Sequence, residues 1–176
     1  MSTVAVAVSA RITAAWQVLQ GVLDPEVPVL SVCDLGIVRA VELEGEDLCV
    51  TLTPTYSGCP ATEVIERSVC EALQAAGLGP VRTVQRRAPA WTSDWISEAA
   101  REKLRAYGIA PPCQTVAAQG SEAGAYQPLR FMPPALACPR CGSRHTERLS
   151  AFGATACKAL HRCLACREPF EHFKPF

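Results

Sequence analysis

The chain has 176 residues, 49% hydrophobic and 19% charged, with 17 basic and 17 acidic side chains that cancel. That composition supports a packed core and excludes wholesale disorder. Residues 1–110 carry a net −4 and residues 111–176 a net +4, a contrast that favours two units but supplies no basic stripe for nucleic acid.

No apolar run approaches the roughly 18–20 residues of a membrane span, so no membrane partner is expected. Residues 1–10 lack a charged n-region, so no secretory signal is expected either. Ten cysteines, some in metal-type pairs and none behind a signal, point to a reducing cytoplasm.

The first helix is expected over 10–22, where Ile12, Trp16, Leu19 and Leu23 recur at helical spacing. Asp24-Pro25-Glu26-Val27-Pro28 ends it, because each proline disfavours helix at the residue before it. A strand follows over 37–43, a turn at Glu44-Gly45-Glu46-Asp47, and a second strand over 48–53. Leu48, Val50 and Leu52 share one face of that strand, and Cys49, Thr51 and Thr53 the other. The glycine turn reads as an antiparallel hairpin.

A loop through Gly58-Cys59-Pro60 leads to a helix over 60–76, with Val64, Ile65, Val69, Leu73 and Ala76 as its stripe and Gly77 as its stop. A third strand is expected over 81–87. A third helix is expected over 94–107, capped by Ser93 or Asp94 and buried through Ile96, Ala100, Leu104 and Tyr107. Gly and Pro residues mark 111–136 as a linker. The fold class is α+β: an α-β-β-α-β-α unit over 1–110, a linker over 111–136, and a four-cysteine ribbon over 137–176.

The ribbon carries the strongest chemical signal. Cys138-Pro139-Arg140-Cys141 and Cys163-Leu164-Ala165-Cys166 are separated by twenty-one residues. Each pair can form a tight turn that aims two sulfurs at one ion. Four thiolates suit zinc in a closed, structural site with Zn–S of about 2.3 Å. Iron in a four-sulfur site is the alternative. Cys157, His145 and His161 are spare ligands, with Cys157 read as an auxiliary or packed thiol beside the site. The aromatic tail suits a last strand, and Phe170, Phe173 and Phe176 are alternatively a docking surface.

Cys59 is the candidate for exchangeable chemistry upstream. Pro60 fits the first helical position, which would put Cys59 at the N-cap, where the helix dipole favours thiolate. A buried structural cysteine is the competing reading. Asp24 and Asp34 stand in turns ahead of the hairpin, and Asp34 is a candidate for the same end of the sheet as Cys59. Cys49 and Cys70 read as packing residues. Nothing reads as a nucleophile–base pair, a nucleotide loop or a flavin fingerprint, so no catalysis by the chain itself is expected.

Several of these stretches match a family. Asp24-Pro25-Glu26-Val27-Pro28, Asp34-Leu35-Gly36, Thr53-Pro54-Thr55-Tyr56-Ser57-Gly58-Cys59-Pro60 and Pro89-Ala90-Trp91 resemble the small iron–sulfur assembly domain of SufT-like proteins. The Cys-Pro-x-Cys-Gly-Ser, Phe-Gly-x-Thr-x-Cys-Lys and Cys-x-x-Cys-x-Glu-Pro-Phe runs resemble the PaaD type, also called PaaJ, of bacterial phenylacetate degradation. The resemblance implies an accessory role for a ring 1,2-phenylacetyl-CoA epoxidase, in maturing its iron or iron–sulfur centres, or alternatively a structural subunit. It implies transient iron or a cluster at Cys59 with Asp24 and Asp34. It implies ribbon ligands at Cys138, Cys141, Cys163 and Cys166. The implied partners are the oxygenase or reductase subunits, and a second copy of the chain is a further candidate.

Overall fold

A computed structural model describes residues 3–56, 58–113 and 136–176. Two compact units divide the chain: Met1–Tyr107 with Phe176, and Gly108–Pro175. Most of the linker expected over 111–136 lies outside the described residues. Among the described residues, no helix is long and apolar enough to cross a membrane.

The first unit opens with α1 (Thr3–Leu19). It begins upstream of the expected start because the alanine-rich stretch before Ala10 sustains helix. Ala15 and Leu19 are fully buried, but Leu23 is 53% exposed. The helix has already ended there, so helical periodicity no longer applies to Leu23. The hairpin follows as β1 (Val38–Glu44) and β2 (Asp47–Leu52), antiparallel, with Glu44 opposite Asp47 across the turn. Next come α2 (Thr62–Ala75) and β3 (Val81–Gln85), which pairs parallel to β2.

The sheet order β1-β2-β3 places β2 in the centre. Residues 48–52 are therefore buried on both faces, and the alternation of β2 describes two covered faces rather than one wet and one dry. α1 packs on β1 and α2, and α2 packs on β3. Ile65, Val69 and Leu73 form the buried stripe of α2, while Val64 is 37% exposed at its margin.

The third helix is split. A 3₁₀ turn, Ser93–Trp95, is followed by extended Ile96 and then by α3 (Glu98–Tyr107). Neither Ser93 nor Asp94 provides the cap. Thr92 accepts from the Asp94 N–H in the turn, and Ser97 Oγ accepts from the Ala100 N–H at 3.1 Å in α3. Ala100 and Leu104 are buried, but Tyr107 is 59% exposed, because the helix ends there. Trp91 is buried and donates its Nε1–H to the Leu35 carbonyl at 2.9 Å. Gly36, at φ +67°, lies so close to Trp95 that a Cβ would stand 2.9 Å from the Trp95 Cβ. This contact fixes the Asp34-Leu35-Gly36 turn against the tryptophan segment.

The second unit is a four-stranded sheet in the order β4-β7-β6-β5. Its strands are β4 (Ile109–Ala110), β5 (Thr146–Ser150), β6 (Lys158–Cys163) and β7 (Pro169–Phe173). β5 and β6, and β6 and β7, are antiparallel, while β4 joins β7 in parallel. Cys138, Cys163, Ala110 and Phe170 cluster at its core, with Leu136 against them. Phe170 and Phe173 are buried, so they are core side chains and not an exposed docking surface.

Candidate metal centre

The two cysteine turns share one backbone design. The Cys138 N–H donates to the Ser143 carbonyl at 2.9 Å, and the Cys163 N–H donates to the Glu168 carbonyl at 3.0 Å. Each turn then needs a left-handed residue directly after its second cysteine. Gly142 takes that conformation at φ +73° and Arg167 at φ +67°. Glycine meets this requirement without strain, whereas a side chain there is uncommon. The Leu164 N–H donates to the His145 carbonyl at 2.8 Å, which ties the second turn to the start of β5.

The result brings all four sulfurs within 4.8 Å of one another. Cys138 and Cys166 sulfurs are 3.8 Å apart, and Cys141 and Cys163 sulfurs 3.6 Å apart. Disulfide sulfurs stand about 2.05 Å apart, so these pairs are not bonded. Sulfurs held about 2.3 Å from a central ion at tetrahedral angles stand about 3.8 Å from each other. The Cys138–Cys166 and Cys141–Cys163 separations match that spacing, and the four protein ligands leave no open position for water.

Charge in the cluster is unevenly held. The Cys166 N–H stabilises the Cys163 thiolate; burial opposes it, but the Ala165 N–H and neighbouring sulfurs help bring Cys163 down to about 6. The Glu168 N–H lowers Cys166, but burial and three facing sulfurs outweigh it and push that thiol up to about 12. A dication removes this mutual repulsion and deprotonates the whole set. Cys157 lies outside the cluster, buried, with its sulfur 3.0 Å from the Thr155 hydroxyl. Neither His145 nor His161 joins the four sulfurs.

The other expected site residues are placed separately. Asp24 is buried and its Oδ1 accepts from the N–H groups of Glu26 and Val27, both at 2.8 Å, so it builds the turn after α1. Asp34 accepts from the Ser31 N–H at 3.0 Å and pairs with the Lys103 ammonium at 2.7 Å. Burial raises the Asp34 carboxyl, but Lys103 and Ser31 outweigh that and hold it below its ordinary value. Asp34 lines a polar cavity of about 400 Å³ with Ser31, Cys33 and Lys103, and neither Asp24 nor Cys59 is part of that lining. Burial, with the Asp34 charge beside it, pushes the Cys33 thiol up to about 11.

Cys59 is half-buried in the connection from β2 to α2. It is not the N-cap: that position falls on Ala61. The Cys59 carbonyl instead accepts from the Thr62 hydroxyl at 2.8 Å and the Thr62 N–H at 3.2 Å. An extra turn of chain, 59–61, therefore separates the thiol from the first helical residue. Gly58, at φ +87°, makes the approach and leaves open space around itself.

The sequence reading missed the ribbon's second polar element. Lys158 is buried, and its ammonium pairs with Glu171 at 2.7 Å. The same carboxylate accepts from the Ala154 N–H at 2.7 Å, and a Cβ on Gly153 would meet it at 2.6 Å. The Phe-Gly-x-Thr-x-Cys-Lys run is thus a loop wrapped around one carboxylate.

His161 and His172 meet edge to face, with centroids 5.5 Å apart. Burial, with His161 beside it, lowers His172 to about 4. An unfolded histidine titrates near 6.5, so the folded ribbon binds fewer protons between these values. This contribution is complete above about pH 6.5 and is lost as pH falls towards 4. It is at most about 3 kcal/mol, reduced to roughly 1–2 kcal/mol by the ring's remaining exposure. Denaturation in excess zinc at pH 7 and pH 5 is expected to show a shallower pH slope in His172→Gln than in the parent. Equal slopes would refute the assignment.

Comparison with known proteins follows the same two-part division. Residues 12–85 match the family model described as iron-sulfur cluster assembly protein, and residues 127–174 match the PaaD zinc beta ribbon domain. An Escherichia coli protein provisionally named as a subunit of 1,2-phenylacetyl-CoA epoxidase is 49% identical over 159 residues, 90% of each chain. A Porphyromonas gingivalis protein named Fe-S protein maturation auxiliary factor is 33% identical over 90 residues, 50% of this chain and 85% of that one. A crystal structure of a domain of unknown function from Bacillus anthracis superposes with a TM-score of 0.53 at 24% identity, covering 57% of this chain and 96% of that one, which supports the fold.

The fold and the four sulfurs thus define an iron–sulfur assembly-type α+β unit joined to a metal-binding β-ribbon. The chain belongs to the PaaD family.

Proposed function

We propose that this chain is a cytoplasmic accessory factor for a multicomponent ring 1,2-phenylacetyl-CoA epoxidase, assisting maturation of its iron or iron–sulfur centres. The observation that carries this reading is the match to the Escherichia coli epoxidase protein through both modules at once. In this reading the ribbon holds zinc as a structural clip and helps select the partner, an oxygenase or reductase subunit. Iron or a cluster is cargo, held transiently at Cys59. Support for Cys59 comes from its place in the connection that leaves the carboxyl end of β2, a strand that runs parallel to β3. Ligands commonly bind off the carboxyl ends of parallel strands. Asp24 and Asp34 act through the turns they build.

Cys59→Ala is expected to retain the parent's zinc content and fold while lowering the iron content of co-expressed epoxidase. Normal epoxidase iron and turnover with this variant would sink the assembly reading. The relative's name, that of an epoxidase component, favours a second reading: a structural component without chemistry of its own. Stable stoichiometric co-purification with the oxygenase subunits, unaffected by Cys59→Ala, selects that one.

A further inference from the structure

The ribbon unit has an unbalanced charge distribution. Its three described acidic residues are each matched to a cation: Glu147 with Arg162, Glu168 with Arg140, and Glu171 with Lys158. Among the described residues this leaves Arg144, Arg148, Arg167 and Lys174 without a carboxylate. Three of those four, Arg144, Arg148 and Lys174, line a single cavity of about 680 Å³ that no carboxylate of the described residues lines. The sheet register explains part of this convergence, since Arg148 stands opposite His161 and Ala159 opposite His172.

His161 and His172 also line the cavity, and among the described residues the Nε2 of each is buried and has no hydrogen-bond partner. Buried ring nitrogens are ordinarily satisfied, so two such atoms in one wall call for an explanation. The remaining lining includes Leu136, Phe152 and Ala159. Lys174 keeps its ammonium 4.5 Å from the centre of the Phe152 ring.

Three cations without a carboxylate among the described residues, around one partly enclosed space, repel each other and attract a negative group. Guanidinium and ammonium N–H groups suit the oxygens of a carboxylate or phosphate. The volume falls within the roughly 300–1,000 Å³ typical of small-molecule pockets, and the apolar walls suit a hydrocarbon body. We propose that this cavity binds a small organic anion, a carboxylate or phosphate head on an apolar body, with Arg148 and Lys174 engaging the head. The site uses none of the four cysteines, and it stands whether or not the chain serves an epoxidase. The partial enclosure favours a free molecule over an acidic protein segment.

The test is an amide-resolved NMR titration of the full zinc-loaded chain with hexanoate, hexylamine and inorganic phosphate. Hexanoate is expected to give saturable shifts at Thr146, Arg148, Ala159 and His172, hexylamine none, and phosphate weaker binding. Arg148→Gln with Lys174→Gln is expected to raise the hexanoate Kd about tenfold or more, because hydrogen bonds to charged groups are the strong ones. Arg144→Gln, at an exposed position, gives an independent measure should the double variant lose its zinc or its dispersed spectrum. The proposal is overturned by an absence of saturable shifts, by an equal response to hexylamine, or by phosphate binding as tightly as hexanoate. It is also overturned if a glutamate-rich peptide occupies these residues and hexanoate does not.

Discussion

Replacing Cys163 with serine is expected to abolish metal binding and unfold the ribbon. Cys163 is fully buried, and with Cys138, Ala110 and Phe170 it makes up the core cluster of the unit. Even with Ile109, Ala159 and Phe173 buried as well, so small a core does not offset the entropy of ordering four strands and two turns. The ion must supply the difference, and structural zinc contributes about 10–16 kcal/mol in comparable small modules. Serine does not deprotonate near neutral pH and offers a hard oxygen in place of a soft sulfur. The three remaining thiols would also be left in a half-built cluster. The measurements are metal per chain and hydrogen exchange at the amides of β5, β6 and β7. A variant that keeps one ion per chain with protected β6 and β7 amides would overturn the assignment. Trp16, Trp91 and Trp95 all lie in the first unit, so tryptophan fluorescence follows that unit separately.

What could be read from the sequence was what depends on neighbours along the chain. Two Cys-x-x-Cys turns are local objects, and their ligand geometry follows from a few residues each. The α-β-β-α-β-α order was legible for the same reason, since periodicity and Gly-Pro punctuation act within one element. Cys59 was misplaced because Pro60 suits a first helical position, yet the Cys59 carbonyl captured Thr62 and delayed the helix. The third helix was misread because a good stripe continues through Ile96, while the Trp91 and Trp95 contacts impose an extended residue there. The cation-lined cavity was invisible because Arg148, His161 and His172 meet only through the register of three strands. The buried Lys158 looked like any surface lysine, because its partner Glu171 lies one strand away.

That last pair carries the second large expected effect. Glu171→Ala should destabilise the zinc-saturated ribbon by about 3–5 kcal/mol, the usual cost of breaking a buried ion pair on one side. The Lys158 side chain is only 6% exposed, so its ammonium cannot simply turn to water. Losing this carboxylate leaves a buried charge less compensated, which costs free energy. The loop suffers as well, because the Ala154 N–H loses its acceptor. The effect should nevertheless be conditional on Lys158. Combining Glu171→Leu with Lys158→Met removes both charges and replaces them with apolar volume, and such swaps are often neutral. The double variant is therefore expected to be more stable than Glu171→Ala alone, although it carries one more substitution. Denaturant unfolding in excess zinc, followed by ribbon amide signals, measures this cycle. A double variant no more stable than Glu171→Ala would mean that the carboxylate acts through the 153–158 loop and not through Lys158.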